Sequence, residues 1–186
     1  FGFSPEFPEN ATRLGADAVI MSVHKTLPAF TQTALLHLCS DRIAEKKVAQ
    51  FLGIYETSSP SYLLMAGIEK GLQIIEKDRE MLFAAYSRRL AEFRDKTKNL
   101  KTLQVLQPSD FSKQEAFSFD PGKLLILTGN SMSGQALQEI LLREYGLQME
   151  MASGNYVVAM TSIMDTDEGF ARLSDALECI DGTVHK

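Results

Sequence analysis

From Pro60 to about Thr97 the sequence has no internal proline, and its apolar residues keep a helical rhythm. Leu64, Ile68, Leu72, Ile75, Leu82, Tyr86, Leu90 and Phe93 follow one another at spacings of three, four or seven. Side chains at those intervals line one face of an α-helix. The spacing predicts one long amphipathic helix, with a candidate break near Lys77-Asp78. Ser59-Pro60 predicts its start: a cap, then proline at the first helical position, where an N–H is not needed. A helix of that length links two parts of a molecule. The chain is therefore read as residues 1–97, ending with the helix, and residues 98–186, with the boundary near 95–100.

The first part reads as irregular chain followed by strands. Phe3-Ser4-Pro5-Glu6-Phe7-Pro8 cannot be a helix interior or a central strand, because two prolines remove donors. A short helix from Glu9 to Leu14, stopped by Gly15, follows. Ala18–Met21 is apolar at every position, which predicts a buried parallel strand covered by helices. After a loop over Thr26–Thr31, Gln32–Leu38 reads as a second buried strand. Asp41 is a candidate N-cap for a helix to about Phe51, ended by Gly53.

The second part alternates short strands and helices. Leu103–Leu106 and Lys123–Leu127 read as strands separated by a polar, turn-rich segment. Ser131 is the candidate cap of a helix that runs to Tyr145 and closes at Gly146. Leu147–Met151 and Tyr156–Ala159 read as strands around a turn, and Asp165 as the cap of a last helix, Glu168–Ile180. Strand, strand, helix, strand, strand, helix is an α/β layer.

Composition narrows the function classes. The chain has 186 residues, 45% apolar and 23% charged, ordinary for a globular protein with a real core. A formal net charge of -5 argues against nucleic-acid binding by bulk attraction. No apolar run approaches the ~20 residues of a membrane span. Phe1-Gly2-Phe3-Ser4-Pro5 lacks a basic n-region, an apolar h-region and an initiator Met, which fits a piece of a longer chain. Cys39 and Cys179 have no CxxC spacing and read as free, buried cytosolic thiols. With His24, His37 and His185 they form no metal-ligand set.

Chemistry concentrates at Ser22-Val23-His24-Lys25-Thr26, where the first apolar strand ends. Ser22 and His24 share one side there, and Lys25 follows as the chain leaves the sheet. In open α/β sheets, ligands sit beyond the carboxyl ends of strands. A hydroxyl and an imidazole could hold a phosphate while the lysine amine meets a carbonyl. A strand-end serine, a core histidine and a surface lysine are the plain alternative. The loop Thr57-Ser58-Ser59 before the long helix offers hydroxyls and free N–H groups to an anion; ordinary capping is its alternative. Thr128–Gly134 resembles a small phosphate loop without a GKS/T ending and reads as a turn and cap. Arg88-Arg89 reads as a solvated face, and no paired carboxylates stand out.

The window from Gly15 to Ala34, with Ser22-Val23-His24-Lys25-Thr26-Leu27-Pro28 and Thr31-Gln32-Thr33, closely resembles the Orn/Lys/Arg decarboxylases. Thr57-Ser58-Ser59-Pro60-Ser61-Tyr62 and the long helix add to the resemblance, which continues more weakly to about residue 180. It implies an α/β chain that is the C-terminal part of an aspartate-aminotransferase-like large domain, a long linking helix and a small α/β domain. It further implies pyridoxal 5'-phosphate as cofactor and a cytoplasmic enzyme that decarboxylates lysine, arginine or ornithine to the amine. The implied partners are this small basic substrate and a second copy in a homodimer or larger homo-oligomer. Lys25 matches the catalytic lysine that carries the cofactor. Ser22 and His24 match its cofactor-binding neighbours, and Thr57 and Ser58 the loop that reaches a phosphate in the partner subunit's site. The opening residues resemble the stretch just after the family's Asp-x-Ala-His segment, and the family continues past Lys186. A chain so placed is expected to be inactive by itself. An aminotransferase or lyase of the same fold, or a non-catalytic α/β domain, are the competing readings.

Overall fold

A computed structural model describes residues 3–112 and 114–184. Phe1, Gly2, Lys113, His185 and Lys186 lie outside them, and with them the first residues of the opening segment and one of the three histidines. The chain divides between Met81 and Leu82 into two compact units. The cut falls inside the long helix, short of the boundary read near 95–100. Phe83, Tyr86, Leu90 and Phe93, all past that cut, are buried.

In the first unit, β1 (Ala18–Ser22) pairs antiparallel with β2 (Ala34–Leu38), from Ala18 opposite Leu38 to Ser22 opposite Ala34. The expected parallel strand buried on both faces is corrected here. Parallel neighbours need a crossover of a dozen or more residues, and only Val23–Thr33 joins these two strands. One face is half-buried (Val19, Met21, Leu35, His37), and the other is exposed, with Ile20 78% accessible. The expected helix at Glu9–Leu14 is a single hydrogen-bonded turn, from Asn10 and Ala11 carbonyls to Arg13, Leu14 and Ala16 amides. Gly15 does stop it, at φ 88°.

The helix α1 is Glu45–Tyr55, later than read: Asp41 lies in the preceding turn, and the helix runs through Gly53 to cap at Glu56. It buries none of its residues. The long helix α2 is Tyr62–Thr97, with no break at Lys77-Asp78. Ser61, not Ser59, meets its first free amides: the Ser61 hydroxyl accepts from the Leu64 N–H at 3.3 Å.

The second unit contains β3 (Gln104–Val105), β4 (Lys123–Leu127), α3 (Gly134–Tyr145), β5 (Met151–Ser153), β6 (Tyr156–Met160) and α4 (Asp167–Val184). The strand–strand–helix repeat read from sequence is present. The sheet order is β3-β4-β6-β5, antiparallel throughout. In β4 and β6 alternate residues are fully or nearly buried, Leu124 and Ile126 on one, Val157 and Ala159 on the other. Leu137 and Leu141 of α3 and Leu177 of α4 complete a dry core, each contributing about 2 kcal/mol by burial. Two caps move. Ser133, not Ser131, accepts from the Ala136 N–H, and Thr166, not Asp165, accepts from the Gly169 N–H. Gly146 closes α3 in the left-handed region, φ 64°, as read. The first strand of the last pair starts at Met151 rather than Leu147.

Both cysteines are free but exposed, not buried. Arg88 is exposed as read, bonded to Glu92 and Asp167, whereas Arg89 is mostly covered while its Nε donates to Asp167 at 2.6 Å. No helix among the described residues is long and apolar enough to cross a membrane.

Tyr86 ties α2 to this sheet. Its hydroxyl lies 2.7 Å from Thr161 Oγ1, and that hydroxyl donates its one hydrogen to the Gly122 carbonyl at 2.8 Å. Tyr86 is therefore the donor in the first bond. Burial, foremost, pushes its phenol well above the ordinary value of 10. An unfolded tyrosine ionises near pH 10 while the folded one keeps its proton. Stability is thus whole below about pH 10 and falls by about 1.4 kcal/mol per pH unit above it. Tyr86→Phe is expected to cost about 1 kcal/mol at pH 7, for the lost hydrogen bond. Urea titrations should show that deficit reverse above pH 11. A deficit that stays constant with pH would contradict the assignment.

Candidate active site

The site is built where β1 ends. Ser22 closes the strand, and Val23–Lys25 form one turn of 3-10 helix. Val23 faces inward, 3% exposed, and anchors the turn: its carbonyl accepts from Thr26 N at 3.3 Å and from Leu27 N at 2.9 Å. With Val23 inside, Ser22 and Lys25 are left exposed and His24 half-buried. The turn therefore presents an amine from a backbone that is hydrogen-bonded on both sides.

The Thr33 carbonyl is the second anchor. It accepts from Val23 N at 3.1 Å and meets His24 Nδ1 at 2.8 Å. A carbonyl only accepts, so Nδ1 carries the hydrogen, and in the neutral ring Nε2 is left as acceptor. Thr33 is itself held, 2% exposed, with its hydroxyl donating to the Phe30 carbonyl at 2.7 Å. Gln32, just before it, adopts φ 77°. A left-handed residue other than glycine costs about 1 kcal/mol, and here it aims the next carbonyl at the turn. Sequence reasoning read Gln32 and Thr33 only as the start of a strand and part of the family pattern, because neither acts through a side chain on the site.

The loop Leu27–Phe30 rests on α2. A Cβ placed on Gly71 would stand 2.8 Å from the Pro28 carbonyl oxygen, and one on Gly67 2.6 Å from the Phe30 ring. Two glycines four apart in a helix are the signal that could have pointed to this close approach.

Beside the turn lies a cleft of about 420 Å³ lined by Ser22, Thr26, His37, Arg13 and Arg79 among others. Among its lining residues are Ser22 and Thr26 but neither His24 nor Lys25. Thr57 and Ser58 sit on another element, the exposed turn between α1 and α2, where the Thr57 hydroxyl accepts from Ser59 N at 3.2 Å. The structure thus gathers Ser22, His24 and Lys25 into one turn and leaves Thr57 and Ser58 in a separate loop of the same unit.

The braced turn thus presents an exposed lysine, an exposed serine hydroxyl and an imidazole of fixed tautomer, groups whose chemistry suits a carbonyl and an anion. The fold around it is shared by solved decarboxylases and aminotransferases. The lysine decarboxylase LdcF of Francisella novicida superposes with a TM-score of 0.71 at 21% identity, covering 88% of this chain and 27% of LdcF. An alanine–glyoxylate aminotransferase of Nostoc sp. superposes at 0.65 and 16% identity, over 96% of this chain and 50% of that one. A model of the major domain of the Orn/Lys/Arg decarboxylases matches residues 1–168. The chain belongs to that family. YaaO, an uncharacterized protein of Bacillus subtilis, is 33% identical over 154 residues, 82% of this chain and 31% of YaaO. The arginine decarboxylase of the same organism is 23% identical over 176 residues, 94% of this chain and 36% of the enzyme. The chain spans about a third of the length of these curated relatives.

Proposed function

We propose that this chain supplies the cofactor-bearing part of a pyridoxal-phosphate-dependent decarboxylase that converts a basic amino acid (lysine, arginine or ornithine) to its amine. The observation that carries the reading is the exposed Lys25 on a braced turn with two polar neighbours, Ser22 exposed and His24 oriented by the Thr33 carbonyl. The donor set fits the cofactor: an amine for its aldehyde and a hydroxyl for its phosphate. When bound, the pyridoxal ring supplies a sink for the electrons left by the departing carboxylate.

The chain's own residues hold and orient. Lys25 Nζ is the amine that would hold the aldehyde carbon, with water as the group released, and the Thr26 and Leu27 N–H bonds to Val23 keep its backbone in place. Ser22 donates its hydroxyl to the phosphate. His24, with Nδ1 committed to Thr33, leaves Nε2 as the ring's acceptor, one residue before Lys25 in the turn. Thr57 and Ser58 contribute their hydroxyls to the phosphate in the site of a second copy. Exposed Phe51, Ile54, Tyr55, Tyr62 and Leu63, on either side of that loop, support a homodimer, because apolar side chains gathered at a surface mark contact regions. On this reading residues 1–97 are the cofactor-binding part with its long helix, residues 98–186 a smaller C-terminal domain, and the enzyme is cytoplasmic.

The test uses the protein as its host makes it. Borohydride reduction with pyridoxal phosphate, followed by peptide mapping, is expected to place the label on Lys25 in excess over every other lysine. Incubation with lysine, arginine and ornithine in turn is expected to release CO2 and an amine from one of them. Label spread evenly over surface lysines would sink the Lys25 assignment. A keto acid in place of CO2 would transfer the proposal to an aminotransferase, the activity named for the Nostoc protein of this fold.

A further inference from the structure

We infer that Gly71 is a positioning residue for Lys25: the bare backbone of α2 at this point is the seat that fixes the lysine turn. The inference rests on the reading of Lys25 as the cofactor-bearing lysine. It starts from the spacing of the contacts. A Cβ on Gly71 would come within 2.8 Å of the Pro28 oxygen, 3.4 Å of the Pro28 carbonyl carbon and 3.8 Å of the Ala29 Cβ. Real Cβ atoms do not approach a backbone oxygen so closely, so only glycine lets the loop lie this deep.

The loop cannot yield without moving the turn. Ala29 N donates to the Leu27 carbonyl at 2.8 Å, and Leu27 N donates to the Val23 carbonyl at 2.9 Å. Pro28 thus sits between two short bonds, three residues past Lys25. Farther along, Thr33 N and the Thr33 hydroxyl both donate to the Phe30 carbonyl, and Thr33 in turn holds Val23 and His24. A displaced Pro28 carbonyl is therefore transmitted to Leu27 and through Val23 to Lys25.

Gly67 has a different standing. Its closest neighbour is Cδ2 of the Phe30 ring, and Phe30 is 52% exposed. A ring that exposed can swing away from a new methyl group, whereas a backbone carbonyl fixed on both sides cannot. The two glycines, one helical turn apart, separate the effect of adding a methyl group to α2 from that of moving the lysine turn.

The experiment compares Gly71→Ala with Gly67→Ala in the protein as its host makes it. One readout is hydrogen exchange at the Leu27 amide, which reports the turn without any cofactor. The other is the share of borohydride-fixed pyridoxal phosphate found on Lys25 as against the other lysines. Gly71→Ala is expected to speed Leu27 exchange by about tenfold or more, leave amides of α3 and α4 unchanged, and cut the Lys25 share several-fold. Gly67→Ala is expected to leave both readouts near the parent's. Unchanged Leu27 exchange in folded Gly71→Ala overturns the seat. Faster exchange with an undiminished Lys25 share overturns its link to the amine. If the unsubstituted protein labels its lysines evenly, the reading of Lys25 is what fails, and with it the positioning role, while Leu27 exchange still decides whether Gly71 seats the turn. Where Gly71→Ala does not fold, it is placed on an Ala29→Gly background, whose backbone freedom lets the Pro28 carbonyl step aside. There the fold is expected to return, and a double variant that stays unfolded overturns the proposal.

Discussion

Gly134→Ala is expected to remove about 3 kcal/mol from the stability of the second unit. Gly134 is the first residue of α3, and the helix starts against the backbone of β6. A Cβ there would lie 2.2 Å from the Tyr156 carbonyl oxygen, 2.9 Å from its carbon and 3.1 Å from the Tyr156 nitrogen. Neither side has room to move. The β6 strand is paired on both edges, to β4 and β5, and Gly134 N is bonded to the Gly154 carbonyl at 2.8 Å. Relief requires α3 to lift off the sheet, and Leu137 and Leu141, both fully buried, lift with it. At a denaturant slope of about 1.5 kcal/mol/M, the urea midpoint falls by about 2 M. Gly182→Ala is the control. That glycine lies in α4 with open space where its Cβ would be, so alanine is expected to be neutral or to add up to about 1 kcal/mol from helix propensity. A Gly134→Ala midpoint within 0.5 M of the parent's would refute the close approach.

The sequence made some features plain for physical reasons. Lys123–Leu127 was legible to the residue because Leu124 and Ile126 face one dry side, and both the pattern and the stop at Thr128-Gly129 are local. Gly146 was legible because a left-handed helix end wants glycine. The caps were not. Ser59 and Ser61, Ser131 and Ser133, Asp165 and Thr166 are all competent oxygens within three residues of each helix start. Which one caps is decided by where the helix meets its neighbours, as at Gly134 against Tyr156. The direction of β1 was hidden for a related reason. Ala18–Met21 is apolar throughout, and uniform apolarity fits any buried neighbour, parallel or not. At the site, Ser22, His24 and Lys25 were legible because their chemistry lies in side chains. The Thr33 carbonyl that orients His24 and the missing side chain at Gly71 were not, because backbone groups and absent atoms leave little mark on a pattern of residue types.

Asp181→Ala is the second large effect, and it exposes a link between α4 and the entry to β3. Asp181 is 6% exposed, and its carboxylate accepts three successive backbone amides. Oδ1 takes Thr102 N and Leu103 N, each at 2.7 Å, and Oδ2 takes Lys101 N at 2.8 Å. Hydrogen bonds to a charged acceptor are the stronger kind. The three sites differ in what replaces the carboxylate. Lys101 is exposed, so water can take over its N–H, but Leu103 is 1% exposed and its N–H would be left bare. One buried, unpaired amide together with the lost charged bonds amounts to about 3 kcal/mol. Asp181→Asn separates the two contributions. Its amide oxygen can still serve Thr102 and Leu103, while its NH2 group faces the Lys101 N–H, donor against donor. The asparagine variant is therefore expected to lose about half as much as the alanine variant, with Leu103 exchange still slow and Lys101 exchange fast. Urea midpoints and amide exchange at residues 101–103 read both outcomes. Equal losses in the two variants would mean that the charge alone, and not the count of paired amides, is what Asp181 contributes.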